Sequence, residues 1–224
     1  HTLVKPTQPW ENSPMGTSSN NTPPFFIERA LLSPTEISQL AQACDELEAL
    51  AADFEADRYV ERSFFGLTRL CDPFAKNINE VPPQRGMLQR VTYPYLVNDT
   101  VDRLRQHEGL LKVVAKRLGP DLNQMVNQIN FNQPKAGQGW GWHQDYRFRK
   151  TGVTNLRQNY LQSLVAIDVC SEETGGLRLI PQSDHLELKL DTEPDDEKHF
   201  DANSAITPHL EPGDVIFFNP YVIH

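Results

Sequence analysis

The second half of this chain consists of short apolar segments separated by turns, and this pattern constrains the fold more than any other feature. The segments are MVNQINFNQ, YLQSLVAIDV, GGLRLIPQS and, after a Pro-Gly turn, PGDVIFFNPYVIH. The first alternates in polarity, the others are apolar runs of strand length, and no helical period separates them. Short strands without intervening helices predict an all-β core of the sandwich or barrel type over residues 121–224.

The first half is predicted to be mostly helical. Ser33, Pro34 and Glu36 form the signature of a capped helix start, since serine suits the N-cap, proline the first helical position, and glutamate completes a capping box. Apolar residues then recur at helical spacing: Ile37, Leu40, Ala41, Cys44, Leu47, Ala51 and Phe54. Residues 58–95 are expected to form loops and short helices. A further helical stretch over residues 100–119 is predicted to stop at Gly119-Pro120.

These patterns predict one folded domain preceded by a leader. Residues 1–22 lack an apolar stretch and are rich in Pro, Ser, Thr and Asn, so we expect a flexible or tag-derived segment. Residues 23–224 are long enough to bury a core and are expected to form a single domain. Within it, residues 23–120 would be helical and residues 121–224 would form the β core.

Composition excludes several classes of function. The net charge of −9 and the lack of long basic runs argue against binding to nucleic acid. No stretch approaches the roughly 18 apolar residues of a membrane span, so no membrane association is predicted. The cysteines are scattered and never form a C-x-x-C pair, which disfavours a disulfide framework and favours a cytoplasmic location. A small-molecule substrate is the partner we expect, and the oligomeric state is not predicted.

One aromatic-rich segment carries two side chains suited to a metal. GWGWHQDYRF, residues 139–148, places His143 and Asp145 two positions apart. On a strand such residues point to one face, with Cα atoms about 6.5–7 Å apart. A second histidine would complete a two-histidine, one-carboxylate triad, which binds Fe(II) and leaves coordination positions open. For the pair alone, the alternative is a core histidine hydrogen-bonded to a nearby aspartate.

His224 is the best candidate for the third ligand. It lies just beyond the β-run Val215–Phe218 and a short NPYVI link, so a strand end would carry its imidazole to the mouth of a barrel. His199 and His209 lie in polar, loop-like stretches, where solvated side chains are expected. The alternative for His224 alone is a terminal histidine without a role.

Three ordered motifs resemble the phytanoyl-CoA dioxygenase family of Fe(II)- and 2-oxoglutarate-dependent oxygenases. They are WHQD (142–145), SEETGGLRLIPQSDH (171–185) and LEPGDVIFFNPYVIH (210–224), and the resemblance covers residues 105–224 well. It implies a mainly β fold with flanking helices (α+β), in which helices pack outside a double-stranded β-helix, the jelly roll of cupin-like proteins. It also implies that His143, Asp145 and His224 are the iron ligands.

The activity that the resemblance implies is dioxygenation. Fe(II), O₂ and 2-oxoglutarate would together hydroxylate a small organic substrate, such as a secondary metabolite, with decarboxylation of 2-oxoglutarate to succinate. A carboxylate at position 145 favours hydroxylation over halogenation, because halogenating relatives carry a small residue there. Two alternatives remain: a cupin-like metalloenzyme that does not use 2-oxoglutarate, and a metal-free β-sandwich binding domain.

Further site residues follow from the same resemblance. Gln128 and Leu164 occupy positions that line the 2-oxoglutarate pocket in relatives, although Leu164 could equally be a core residue. Independently of the resemblance, substrate contacts are expected from the residues around the metal pair, with residues 151–158 as a lid. The alternative for each aromatic side chain is that it forms part of the lip of the barrel. Arg147 shares strand parity with the ligands and is the best candidate to contact a substrate anion. The expected substrate residues are Arg147, Tyr146, Phe148 and Trp140.

The sequence departs from the family pattern in two places. Relatives carry an arginine about ten residues after the distal histidine, because a planar guanidinium suits the far carboxylate of 2-oxoglutarate. This chain stops at His224, so we expect that arginine and a last strand to lie beyond the given sequence. The alternative is that the protein does not use 2-oxoglutarate in the usual way. PQSDH also replaces the family's PGSH, and His185 is therefore given no role in the site.

Overall fold

The computed structural model describes residues 2–4, 24–67, 88–132, 141–148, 155–188 and 199–224. In chain order the described strands are β1 (Thr2–Val4), β2 (Phe25–Glu28), β3 (Arg58–Val60), β4 (Ser63–Leu67), β5 (Leu88–Thr92), β6 (Asn123–Val126), β7 (Gln128–Asn130), β8 (Tyr160–Val165) and β9 (Val215–Phe218). The helices are α1 (Pro34–Ala51), α2 (Asp99–Arg105), α3 (Glu108–Leu118) and α4 (Leu156–Asn159). The chain divides into two compact units. The first contains residues 1–31, 111–125 and 141–224, and the second contains residues 32–110 and 126–140.

A five-stranded sheet forms the frame of the first unit. Its strands lie in the order β2-β9-β8-β1-β6. β9 pairs antiparallel with β2 on one side and β8 on the other, and all four of its residues are buried. A strand buried on both faces needs a continuous apolar run, which VIFF supplies. Phe26 and Phe217 stack across the β2–β9 pair with ring centroids 4.9 Å apart.

The second unit packs α1 with a four-stranded antiparallel sheet in the order β3-β4-β5-β7. The apolar face of α1 meets the sheet in one cluster of buried side chains. Removing such a side chain from water contributes about 1.5–3 kcal/mol. The members of the cluster are Leu47, Ala51, Phe54, Phe65, Leu67, Leu88 and Val91.

The helix boundaries in the described residues follow the local signals in the sequence. The Ser33 side chain accepts a hydrogen bond from the Glu36 amide, and the Glu36 carboxylate accepts one from the Ser33 amide at 2.8 Å, so the predicted capping box is confirmed. α3 ends at Leu118, and Gly119 follows with a φ of +89°. Glycine adopts that left-handed conformation without a steric penalty, and this confirms the predicted stop.

The prediction of a helical segment over residues 23–120 is wrong for residues 25–28, 58–60, 63–67 and 88–92, which form β2, β3, β4 and β5. The expectation of loops and short helices over residues 58–95 is wrong at β3, β4 and β5. β3 and β4 form a hairpin whose two-residue loop begins with Glu61, at a φ of 55°. A positive φ at that position is typical of the tight turns that suit the twist of a hairpin. These strands contain only three to five residues each, which is too few for an alternating pattern to stand out.

Two further segments differ from the sequence-based expectations. Residues 2–4, expected within a flexible leader, pair with β8, while residues 5–23 lie outside the described part of the chain.

The alternating segment MVNQINFNQ forms two strands rather than one, because β6 joins the five-stranded sheet and β7 the four-stranded sheet. Asn127 separates them, and its carbonyl accepts a hydrogen bond from the Tyr93 amide at 2.7 Å. An alternating period continues through such a change of sheet and cannot reveal it.

None of the helices described is long and apolar enough to cross a lipid bilayer. The treatment of residues 23–224 as a single domain stays a prediction.

Candidate metal centre

Two segments of the first unit, residues 141–148 and 219–224, meet through their main chains. The His143 amide donates to the His224 carbonyl at 2.9 Å, and the His224 amide donates to the His143 carbonyl at 3.0 Å. This reciprocal pair has the hydrogen-bond pattern of two opposed residues in antiparallel β structure, whose side chains lie side by side. The imidazole ring centroids are accordingly 4.3 Å apart. The backbone therefore sets the distance between the two rings.

Gln144 ties this segment to its neighbours. It is fully buried, and its amide nitrogen donates to the carbonyls of Leu186 and Tyr221. Its amide oxygen accepts from the Leu188 amide at 2.8 Å. Both ends of the side chain are thus satisfied by backbone groups, as a buried amide requires.

Asp145 reaches the site from a helical turn and not from a strand. Residues Asp145–Phe148 form a 3-10 helix, so the strand geometry assumed for His143 and Asp145 is wrong. The chain turns there because the Arg147 amide donates to the Gln144 carbonyl at 3.2 Å and the Tyr146 amide to the Pro220 carbonyl at 3.1 Å. The two side chains still meet, since His143 Nε2 and Asp145 Oδ1 are 3.6 Å apart.

The structure brings His143, Asp145 and His224 together. Each offers a ligand atom, and these atoms lie within 4.8 Å of one another. The Nδ1 atoms contact backbone carbonyls, Gly141 at 2.8 Å for His143 and Val222 at 2.9 Å for His224. Because a carbonyl only accepts hydrogen bonds, Nδ1 carries the proton and Nε2 is the nitrogen with a lone pair for a metal. Two imidazoles and one carboxylate fit a divalent transition metal.

The electrostatics of the cluster centre on His143. Burial disfavours its charged form, but the hydrogen bond with Asp145, the Gly141 carbonyl and the negative charge of Asp145 together raise the pKa of His143 above its ordinary value. The positive charge of Arg147 opposes this rise. A metal ion would take the place of a proton on Nε2, so metal binding is expected to weaken at low pH.

Gln162, in β8, is a site residue that the sequence did not identify. It is buried, and its Nε2 donates to Oδ2 of Asp145 at 2.5 Å. The 3.6 Å contact with His143 Nε2 is made by the other carboxylate oxygen, Oδ1. The available signal was a glutamine inside the apolar run YLQSLVAIDV, where a polar side chain needs a partner.

The expected substrate residues are only partly described. The Tyr146 hydroxyl donates to the Leu188 carbonyl at 2.8 Å, and its ring stacks on Tyr221 with centroids 4.1 Å apart. Burial, the largest cause, raises the pKa of Tyr146. Arg147 is half-buried, and the parity argument for it fails because it lies in a 3-10 helix. Trp140 and the side chain of Phe148 lie outside the described residues.

Leu164 and Gln128, which are expected to bind the co-substrate, both contact neighbouring protein residues in the structure. Leu164 is partly buried and packs against a core cluster that includes Ala166, Leu179 and Leu210. Gln128 belongs to the second unit, where its side chain donates to Asn130 at 2.7 Å and accepts from Thr92 at 3.2 Å. Their roles in binding 2-oxoglutarate stay predictions. Of the expected lid, residues 151–154 lie outside the described part of the chain.

His185 belongs to a short local turn. It ends the 3-10 helix Ser183–His185, and its Nδ1 lies 2.6 Å from the Gln182 carbonyl. The His185 imidazole thus contacts a carbonyl within its own segment, PQSDH. This contact is consistent with a role of His185 in shaping the loop.

Comparison with known proteins identifies the family. A family model described as phytanoyl-CoA dioxygenase (PhyH) matches residues 25–224, and the chain belongs to this family.

Curated relatives match in part. A probable alpha-ketoglutarate-dependent hypophosphite dioxygenase from Stutzerimonas stutzeri is 29% identical over 97 residues, which are 43% of this chain and 32% of that protein. A 2-aminoethylphosphonate dioxygenase from the uncultured bacterium HF130_AEPn_1 is 31% identical over 121 residues, which are 52% of this chain and 44% of that protein. The chain thus spans less than half the length of these relatives.

The fold matches that of a solved crystal structure. The iron-bound crystal structure of EctD from S. alaskensis superimposes on this chain with a TM-score of 0.67 and 18% identity, covering 100% of this chain and 77% of EctD. The predicted fold class is therefore confirmed: a jelly-roll core with flanking helices.

Proposed function

We propose that this chain carries the catalytic centre of an Fe(II)- and 2-oxoglutarate-dependent dioxygenase that hydroxylates a small organic substrate. His143, Asp145 and His224 are the proposed iron ligands. The observation that supports this most strongly is the convergence of their three ligand atoms within 4.8 Å, in a chain of the phytanoyl-CoA dioxygenase family. The names of the curated relatives agree with this reaction class.

The ligand set matches the chemistry of such an oxygenase. Three protein ligands on one face leave the remaining coordination positions open. When bound there, iron and 2-oxoglutarate supply the activation of O₂ that oxidises the substrate. The chain fixes the ligands: the His143–His224 backbone pair spaces the imidazoles, and the carbonyls of Gly141 and Val222 orient them. A rigid ligand frame reduces the reorganisation needed when the metal binds.

Hydroxylation is the proposed outcome because position 145 holds a carboxylate. Asp145 would occupy one coordination position of the bound iron, and a halide would need that position vacant. Two relatives act, by their names, on hypophosphite and on 2-aminoethylphosphonate, both of which carry an acidic phosphorus group. Arg147 is the proposed contact to an anionic substrate, because it lies two residues from Asp145 on the same 3-10 helix.

The other assignments complete the proposal. Gln128 and Leu164 are the proposed contacts to 2-oxoglutarate, and Tyr146, Phe148 and Trp140 are proposed to border the substrate next to Arg147. For Tyr146 the ring, stacked on Tyr221, is the part available for this role, since its hydroxyl is bonded to the backbone. The proposed location is the cytoplasm.

The decisive experiment combines metal binding with turnover. Anaerobic addition of Fe(II) and then 2-oxoglutarate should produce the visible charge-transfer band of an iron–keto-acid chelate, and O₂ should then yield succinate. Asp145→Ala should abolish both the band and succinate formation. Asp121→Ala, which removes an exposed carboxylate, is the matched control and should leave both unchanged.

The rival functions give different results. A cupin-like metalloenzyme would bind iron at the same residues but show no band on addition of 2-oxoglutarate. A metal-free binding domain would show no stoichiometric iron after anaerobic reconstitution. Succinate formation that survives Asp145→Ala at saturating iron would contradict the proposed ligand set.

A further inference from the structure

We propose that Gln162 is a positioning residue that holds Asp145 so that the carboxylate binds its metal through one oxygen, Oδ1. This inference rests on the proposed metal site. Gln162 lies on β8 and Asp145 on a separate 3-10 helix, so the contact joins two elements that are far apart in the chain.

The geometry divides the two oxygens of Asp145 between two tasks. Oδ1 lies 3.6 Å from Nε2 of His143, another candidate ligand. Oδ2 accepts the hydrogen bond from Gln162 Nε2 at 2.5 Å. A carboxylate oxygen bound in this way is a weaker metal ligand than its partner. The carboxylate is therefore held for one-oxygen coordination, which preserves a position for another ligand on the metal.

The carbonyl oxygen of the Gln162 side chain, Oε1, supports a functional role for this residue. Gln162 is 6% exposed, and its Oε1 is buried without a hydrogen-bond partner among the described residues. An unsatisfied buried carbonyl costs about 1–3 kcal/mol. Rotating the amide would not remove this cost, because the carbonyl oxygen would then face the Asp145 carboxylate. The contact with Asp145 thus determines the orientation of the amide at the expense of stability.

A purely structural role would look different. Glutamines that serve the fold satisfy both ends of the amide, as Gln144 does with three backbone partners. Gln162 satisfies the end that faces the candidate ligand. Replacing it with leucine, which has a similar size, removes both the contact and the unsatisfied carbonyl.

The test compares metal affinity with the stability of the metal-free protein. Mn(II) and Co(II) affinities are measured by calorimetry for the wild-type chain, Gln162→Leu and Gln162→Asn. Asparagine keeps the amide but is one methylene shorter, so it cannot reach Oδ2 from the same backbone. Gln39→Leu, the same change at an exposed residue of α1, is the matched control.

We expect both Gln162 variants to bind metal about 10-fold to 100-fold more weakly. The unfolding midpoint of the metal-free Gln162→Leu variant should equal or exceed that of the wild-type chain. The Gln39→Leu control should bind metal as tightly as the wild-type chain. The Co(II) absorption spectrum should also change, because the released carboxylate can bind through both oxygens.

Several results would overturn the inference. One is a metal affinity of Gln162→Leu within about twofold of the wild-type value, because loss of a hydrogen bond to a metal ligand is expected to have a larger effect. Another is a loss of affinity in Gln162→Leu accompanied by a lower unfolding midpoint, which indicates a structural role. If the wild-type chain itself binds neither metal, the proposed function fails first.

Discussion

The two units of this chain differ in what they bury. The second unit buries an apolar cluster between α1 and its sheet, and its buried polar residues among those described are Ser63 and Asn127. The first unit buries a larger set of polar side chains in the described part of the chain: Gln144, Gln162, Ser163, Ser183 and Asp214. Burying a polar side chain costs free energy unless it is hydrogen-bonded, so a cluster of such side chains indicates that a particular local geometry is being held. The difference suggests that the second unit supplies stability and the first supplies a site.

The largest effect on stability is expected from the apolar cluster of the second unit. Leu47 is 1% exposed, and Leu47→Ala should lower the free energy of unfolding by about 3 kcal/mol through lost burial and the cavity left behind. Urea denaturation measures this loss. Metal affinity, measured by calorimetry on the folded variant, should stay at the wild-type value. A fall in metal affinity together with the loss of stability would contradict the assignment of stability to the second unit and of the site to the first.

Metal binding should stabilise the first unit in particular. A divalent metal at about one hundred times its Kd should add about 2.7 kcal/mol to the free energy of unfolding. Amide hydrogen exchange should slow most over residues 141–148 and 219–224, and least in α1. His224→Ala should remove both effects. Equal protection along the whole chain would contradict the assignment of the site to these segments.

Loss of a buried amide should affect both stability and the site. Gln144→Leu leaves three backbone partners unsatisfied, and we expect it to lower the free energy of unfolding by about 2 kcal/mol. It should also weaken metal binding, since the two neighbours of Gln144 are candidate ligands. Denaturation and metal titration measure the two effects. An unchanged affinity would show that the ligand segment keeps its shape without this amide.

Asp214 gives a prediction with a pH dependence. Burial opposes ionisation of Asp214, but hydrogen bonds from the amides of Ala30 and Glu211 and from Arg29 outweigh it and lower the pKa of the carboxyl group. Asp214→Asn should cost about 1.5 kcal/mol at neutral pH, because bonds to a charged acceptor are lost. A lowered pKa means that this contribution is complete above pH about 4 and is lost as pH falls through the folded pKa.

The measurement for Asp214 is urea denaturation of wild type and Asp214→Asn from neutral pH to acid. The stability difference should shrink at the acid end, and a constant difference would contradict the charge-based account. Most of the effect should come from the two backbone contacts, since Arg29 is largely exposed and an exposed ion pair contributes little.

The smallest expected effect concerns the cap of α1. Ser33→Ala removes the side chain that accepts from the Glu36 amide and should cost about 1 kcal/mol. Thermal unfolding measures the change, and Ser33→Thr, which retains a hydroxyl, is the control. No change in metal affinity is expected. A loss in Ser33→Thr as large as in Ser33→Ala would show that the hydroxyl is not the stabilising group.

The contrast between the units also explains how much the sequence predicted. The start of α1 and the end of α3 were predictable because serine, proline, glutamate and glycine act on the backbone within a few residues. β9 was predictable because a strand buried on both faces is a continuous apolar run. β3, β4 and β5 were not, since short strands in a mixed sequence give no clear period. The change of sheet at Asn127 depends on contacts distant in sequence.

The candidate site was predictable in its residues but not in its geometry. Residue chemistry and family motifs pointed to His143, Asp145 and His224, which the structure brings together. The strand geometry expected for Asp145 was wrong because backbone bonds to Gln144 and Pro220 turn the chain into a 3-10 helix. Gln162 could not be paired with Asp145 from sequence, since 17 positions separate them and no local pattern links them.

The reciprocal backbone bonds between His143 and His224 have a wider consequence. Because these bonds join backbone groups, they place the side chains at these two positions next to each other, whatever the residue types. A cysteine or aspartate side chain at either position would point to the same place, so the metal ligands can be exchanged without redesigning the backbone. The same frame is thus a natural starting point for engineering a preference for another metal.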